Sequence, residues 1–386
     1  MNRHFLRDIA DIQTGPFGSQ LHKEDYVDIG TPIVTVEHLG NRVFTEQNLP
    51  KVSDEDKARL SKYVLKEGDI VFSRVGSVDR CSYVDAAHDG WMFSGRCLRV
   101  RPNTEVDPLY LYYFFCLEDT KQFVRNIAVG ATMPSINTKL LGEVEVAYPS
   151  QTEQQKIVAL LSALDDKIEI NQKINDNLQQ QAAALFANFY DQAETEVGFT
   201  EMIQILGGGT PKTGESSYWN GDIPFFTPKD VGFPYTLTTE KTITEEGLAH
   251  CNSRLYPINT VFVTARGTVG KVGLPGVPMA MNQSCYALVG KDTHQLLVYF
   301  YTLKAVDRLK HKASGAVFDA ITTRDFEAEN IMKLSDDDTK AFLDVAEPIY
   351  QAVLNNSIEN LRLSELRDSL LPKLMNGEID VTDIRL

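Results

Sequence analysis

Gly130-Ala131-Thr132-Met133-Pro134-Ser135-Ile136-Asn137-Thr138 is answered 185 residues later by Gly315-Ala316-Val317-Phe318-Asp319-Ala320-Ile321-Thr322-Thr323. The offset then holds without a gap: Ser150 falls on Ser335, Asn171 on Asn356, Asn175 on Asn360, Leu178 on Leu363 and Leu185 on Leu370. Upstream, with small gaps, Val75-Gly76-Ser77-Val78 matches Arg266-Gly267-Thr268-Val269, and Cys97 matches Cys285. A chain written twice as a globular unit followed by a helix can fold back on itself about a pseudo-two-fold axis. Such an axis suits a ligand that is itself two-fold, of which duplex DNA is the commonest.

The helices carry the sharpest signals. Ser150-x-x-Glu153 and Ser335-x-x-Asp338 are capping-box-like starts at equivalent positions. From Ile157 the apolar residues step by threes and fours through Leu161, Leu164, Ile168, Ile174, Leu178, Leu185 and Phe189. The second copy runs Phe342, Val345, Ile349, Val353, Leu363, Leu366, Leu370 and Leu374. This spacing predicts an antiparallel coiled coil. Asn171 and Asn356 interrupt it near mid-helix, and we expect them to meet across the seam and fix its register. Pro348 should kink the second helix and Pro372 should break it near its end.

Residues 1–149 and 193–334 alternate short apolar runs with Gly and Pro punctuation, which reads as β-rich with a few helices, the clearest in 109–126. The expected order is therefore a globular unit over 1–149, a helix over 150–192, a second unit over 193–334, and a helix and tail over 335–386. The fold class is α+β, with two α/β units separated by two long helices.

Length (386 residues) and 43% hydrophobic content fit a soluble chain of two or three domains. No run of 18 apolar residues and no charged-then-apolar leader occurs, so no membrane span is expected. Five scattered cysteines without C-x-x-C spacing argue for a reducing cytoplasm and against a zinc site. The net charge of −15 argues against a non-specific phosphate binder, although a basic cleft on an acidic body remains compatible with it.

No catalytic constellation is present. Gly270-Lys271 is followed by Val272, so the P-loop pattern fails, and Gly207-x-Gly209-x-x-Lys212 lacks the third glycine of a dinucleotide fingerprint. The histidines show no metal spacing. Two loops follow predicted strands: Ser73-Arg74-Val75-Gly76-Ser77-Val78-Asp79-Arg80 and Ala265-Arg266-Gly267-Thr268-Val269-Gly270-Lys271. Glycine permits close approach, hydroxyls bond phosphate, and arginine can take guanine bidentately. Each loop alone could be a hairpin with solvated cations; recurrence in both halves favours binding. Arg74, Ser77, Arg80, Arg266, Thr268 and Lys271 are thus DNA-contact candidates. Gln20, Lys23, Lys212, Lys229, Asn282 and Gln283 stand behind them.

With these features assembled, the chain resembles the specificity subunit of type I restriction–modification systems over nearly its whole length. The most specific passage is Pro149-Ser150-Gln151-Thr152-Glu153-Gln154-Gln155-Lys156-Ile157-Val158, continuing through Leu161 to Ile168 and Ala183-Ala184-Leu185-Phe186, which looks like the family's central conserved region. Trp219-Asn220-Gly221-Asp222-Ile223-Pro224-Phe225 and Gly267-Thr268-Val269-Gly270 resemble its recognition-domain motifs, and Leu370 to Ile379 its distal conserved region. The resemblance implies two target-recognition domains, each reading one half of a bipartite site in double-stranded DNA. It implies two methyltransferase subunits carrying S-adenosylmethionine, and a restriction/translocase subunit using ATP and Mg, with no cofactor on this chain. It departs from the pattern where Asp79 replaces Gly270, and where Asp338-Thr339-Lys340-Ala341-Phe342 stands for Glu-Gln-Gln-Lys-Ile. The rival readings are a two-headed coiled-coil scaffold for proteins or glycans, a metal-dependent nuclease, and the same subunit in a system with a fused methyltransferase–nuclease.

Overall fold

The computed structural model describes residues 1–16, 18, 20–232, 234–312 and 320–382. Of the repeat passage, residues 315–319 lie outside the described residues. The chain forms two compact units: Met1–Asp165 together with Glu365–Leu386, and Asp166–Ser364. Each unit therefore holds part of both long helices, Gln151–Gln192 and Asp336–Met375. At 1.5 Å per residue, 42 and 40 residues make helices about 63 and 60 Å long.

The expected caps form. Ser150 Oγ accepts from Glu153 N (3.4 Å) while Glu153 Oε2 accepts from Ser150 N (3.1 Å), and Ser335 Oγ accepts from Asp338 N (3.1 Å). The break expected at Pro372 does not occur. The second helix runs unbroken through Pro348 and Pro372 to Met375. Both prolines are exposed, as are Asp344 and Asp368 four residues before them. Water can therefore serve the carbonyls that the missing N–H groups leave open.

In the second unit the two helices pack antiparallel. The pairings Asn171–Asn360 and Asn175–Asn356 run in opposite directions along the two segments. Asn171 Nδ2 donates to Asn360 Oδ1 (2.9 Å) and Glu359 Oε2 (2.7 Å), and Asn356 Nδ2 donates to Asn175 Oδ1 (2.8 Å). The expectation that Asn171 meets Asn356 is thus corrected. Each asparagine meets the residue four beyond its own counterpart, because an antiparallel pair reverses the order of two equivalent positions. The apolar stripe also drifts. Ile174 is 44% exposed, whereas Asn171, Asn175 and Gln179 are at most 7% exposed. At 3.6 residues per turn, Asn171, Asn175 and Gln179 form the row that faces the neighbour, so the middle of the seam is polar.

The largest sheet that each unit packs its long helices and aromatic helices against is mainly antiparallel. In the first, the order is Ala10–Thr14, Cys97–Pro102, Ile70–Ser73, Cys81–Tyr83. In the second it is Ile203–Gly207, Cys285–Gly290, Val261–Thr264, Val272–Pro275, with Tyr235–Thr236 added in parallel. Tyr110, Tyr113 and Phe115 of Pro108–Cys116 pack the first core with Leu161 and Leu374 from the long helices. The helix expected over 109–126 is two, split at Leu117. The second core gathers Phe186, Phe300, Phe342 and Tyr350.

The repeat also diverges where helix meets domain. In the first unit, buried Asp165 accepts from Tyr113 Oη (2.7 Å) and from Arg367 Nη1 (2.7 Å). Burial and the Asp165 charge push the Tyr113 phenol well up. Burial works against the Arg367 charge, but Asp165 and Asp368 more than offset it. In the second unit Tyr350 holds the place of Asp165, edge-on to Tyr299 at 5.6 Å, and the junction is aromatic.

Asn360→Leu should lower stability by roughly 1–3 kcal/mol by leaving the Asn171 amide short of a partner. Replacing Asn171 and Asn360 together by Leu should recover most of that loss. Urea unfolding followed by helical signal checks the coupling, and equal losses for the single and double variants would contradict it.

Candidate nucleic-acid interface

In the second unit the hairpin between Val261–Thr264 and Val272–Pro275 is closed by Thr264 N to Lys271 O (2.9 Å) and Gly270 N to Thr264 O (2.8 Å). Thr268 Oγ1 donates to Pro228 O (3.1 Å), tying the hairpin tip to the segment that carries Lys229. Beside it lies a cleft of about 330 Å³ lined by Thr227, Pro228, Lys229, Glu240, Lys241 and Asn282. Asp230 holds its walls, accepting from Thr227 N (2.8 Å) and Glu240 N (2.8 Å). Lys229 pairs loosely with Glu240 at 3.8 Å, both side chains being exposed.

Close approach of two backbones builds the next part. A Cβ on Gly208 would lie 2.1 Å from Asn282 O, so only glycine fits here. That contact brings Gly209 N to Met281 O (3.1 Å) and sets the Thr210 hydroxyl on Gln283 Oε1. Asn282 Oδ1 accepts from Ser284 N (3.0 Å), so its side chain is fixed beside the cleft by its oxygen. The structure thus brings Lys229, Arg266, Thr268, Lys271, Asn282 and Gln283 onto neighbouring loops. Lys212 is held instead by its own neighbourhood, its carbonyl accepting from Trp219 Nε1 (3.2 Å).

The first unit repeats the hairpin with different chemistry. Ser73 N donates to Arg80 O (2.9 Å), and Gly76 N to Pro134 O (2.8 Å). Ile136 N bonds Arg74 O (3.0 Å) as Ile321 N bonds Ala265 O (2.9 Å), so Arg74 corresponds to Ala265 and Val75 to Arg266. The two arginines are therefore one position apart, and in extended chain successive side chains point to opposite faces. Arg74 Nη1 donates to Gly95 O (2.8 Å) and braces the loop against its neighbour. Ser77 and Arg80 are exposed. Arg80 edges a cleft of about 510 Å³ shared with Asp79, Tyr113, Lys121, Asp165 and Arg367. Gln20 stands apart, its Oε1 accepting from Tyr63 Oη (2.8 Å); the Lys23 side chain lies outside the described residues.

Among the described residues, no three His, Cys, Asp or Glu groups gather to hold a metal. The equivalent thiols of Cys97 and Cys285 are pushed up to about 12 by burial, which keeps them protonated and inert. No described helix is long and apolar enough to cross a membrane.

Residues 2–180 and 195–333 match the family described as "Type I restriction modification DNA specificity domain". The chain belongs to this family. It is 25% identical to the HindI specificity subunit of Haemophilus influenzae, over 84% of this chain and 89% of the relative. It is 23% identical to the MjaIX specificity subunit of Methanocaldococcus jannaschii, over 98% and 93%. The crystal structure of the S subunit from M. genitalium shares its fold, with a TM-score of 0.57 and 16% identity across 97% of this chain and 95% of that one. This chain is accordingly a type I specificity subunit with two recognition units.

Reading the sequence missed Asn175 and Asn360 as seam partners, although the 185-residue offset aligned them. It also missed Asp165 and Arg367, which lie 202 residues apart and carry no local signal.

Arg266→Ala should weaken binding of the target duplex by roughly 1–3 kcal/mol if the guanidinium reads a base edge, and should relax the motif at one position. Anisotropy titrations on matched and single-mismatch duplexes measure both effects.

Proposed function

We propose that this specificity subunit reads a bipartite site, one recognition unit per half-site, and that its paired helices set the number of base pairs between the halves. The doubled hairpin carries the reading. A glycine–hydroxyl tip recurs on the same sheet position in both units, with Arg74 and Arg266 one position apart and Arg80 answered by Lys271, a difference suited to two different half-site sequences. The chain is non-catalytic in this reading. Two methyltransferase subunits bring S-adenosylmethionine and methylate adenine N6, while a restriction/translocase subunit brings ATP and Mg. The assembly works in the cytoplasm.

The DNA candidates then divide by chemistry. Arg74, Arg80, Arg266, Asn282 and Gln283 carry the donors suited to base edges. Lys23, Lys212, Lys229, Lys271, Ser77, Thr268 and Gln20 suit phosphate and sugar. Asn171 and Asn356, each paired with the other helix's second asparagine, hold the coil in register.

Co-expression with the methyltransferase subunits and single-molecule mapping of N6-methyladenine should yield a split motif. Exchanging residues 1–149 for those of a relative should change one half only; a stable complex that leaves no methylation would overturn the reading. Deleting one heptad from each helix should shorten the spacer and leave both half-site sequences as they were. Altered half-sites with an unaltered spacer would contradict the coil's role.

A further inference from the structure

Resting on the DNA-recognition reading, we infer that Lys310 is a phosphate contact of the second unit, and that the first unit has lost the equivalent contact to an internal ion pair. Lys310 stands in the last turn of the helix Gln295–Lys312. Its stem lies across the tip of the recognition hairpin: a Cβ on Gly270 would meet Lys310 Cε at 2.6 Å and Val306 Cγ1 at 3.1 Å. Gly270 has φ +73°. The left-handed backbone at Gly270 thus disfavours a side chain there, and with it any carboxylate that could capture the ammonium.

The surrounding charges leave Lys310 available. Among the described residues, Lys310, Arg266 and Lys271 have no ion-pair partner, and Lys310 is exposed. Of the carboxylates on this side, Glu329 is paired with Lys312, and Asp307 stands 3.7 Å from the His311 ring rather than against Lys310. Three cations therefore frame one glycine-containing loop in a chain of net charge −15.

In the first unit the residues at the corresponding positions meet with their charge cancelled. Asp79 takes the place of Gly270 and Arg125 that of Lys310. Arg125 Nη1 meets Asp79 Oδ2 at 2.6 Å, and its Nη2 is held by Glu118. A cation neutralised twice within its own domain releases no counterion when DNA arrives, whereas a free ammonium does. Lysine is a compact point charge suited to phosphate rather than to bidentate base reading, so Lys310 adds affinity without sequence preference.

The test uses the complex of this chain with its methyltransferase subunits, and a duplex carrying the motif found by methylation mapping, titrated between 50 and 200 mM salt. Lys310→Met keeps the stem on Gly270 and removes the charge. It should flatten the slope of log K against log salt by about 0.9, so that the wild type loses about 3.5-fold more affinity than the variant over that fourfold range. Lys310→Arg should retain the wild-type slope, and the methylated motif should be unchanged in both. In the first unit, Asp79→Asn with Glu118→Gln frees Arg125 and should steepen the slope by up to about 0.9. A Lys310→Met slope equal to wild type, with motif-specific binding intact, overturns the inference. So does a changed motif, because Lys310 would then be reading a base. If the unsubstituted complex shows no motif-specific binding, the DNA-recognition reading itself fails and takes this inference with it.

Discussion

Two helices of this length could pair in many alignments if their shared face were uniformly apolar, since sliding by a turn exchanges one leucine contact for another. The buried amides of Asn171, Asn175 and Gln179 remove that freedom. A buried amide costs free energy unless a partner stands opposite it, and the partners Asn356 and Asn360 are available in one alignment. The reciprocal pairing is self-consistent under exchange of the two helices. Whatever the coil determines about DNA spacing therefore rests on hydrogen bonds rather than on apolar area, which is less selective about register.

How far the sequence could be read follows from which interactions are local. The caps at Ser150 and Ser335, the hairpins and the main strands depend on residues within a few positions of each other, and the repeat exposed their pairing across the chain. The polar centre of the seam was hidden because Ile174 sits beside Asn175, and apolar spacing alone selected the isoleucine. Pro372 misled for a related reason: the cost of proline in a helix depends on whether water reaches the orphaned carbonyl, and exposure is a property of the fold. The Tyr113–Asp165–Arg367 network joins three distant segments, so no window of sequence contains it.

Electrostatics explains how an acidic chain serves as a reader of DNA. Many of its carboxylates do structural work, as Asp230 does in holding two loops and Asp165 in anchoring a tyrosine and an arginine. What matters at the interface is the charge left unpaired on a few loops. The two units differ there in a few side chains, Gly270 against Asp79 and Arg266 against Val75 among them, within a shared hairpin. Duplicated scaffolds can thus diverge in recognition through side chains alone, because the backbone bonds that shape the loop, such as Ile136 N to Arg74 O and Ile321 N to Ala265 O, are common to both.

The core of the first unit includes Leu371, Leu374 and Met375, from the far end of the chain. A ribosome releases Asp165 some 200 residues before Glu365, at which the unit resumes. At about 5–20 residues per second, that interval lasts about 10–40 s. The domain born first is therefore finished last, and it waits with an open apolar seat while the second unit is made and folds inside the gap. Throughout that interval neither unit holds all of its residues, and the second unit receives its last residue before the first does.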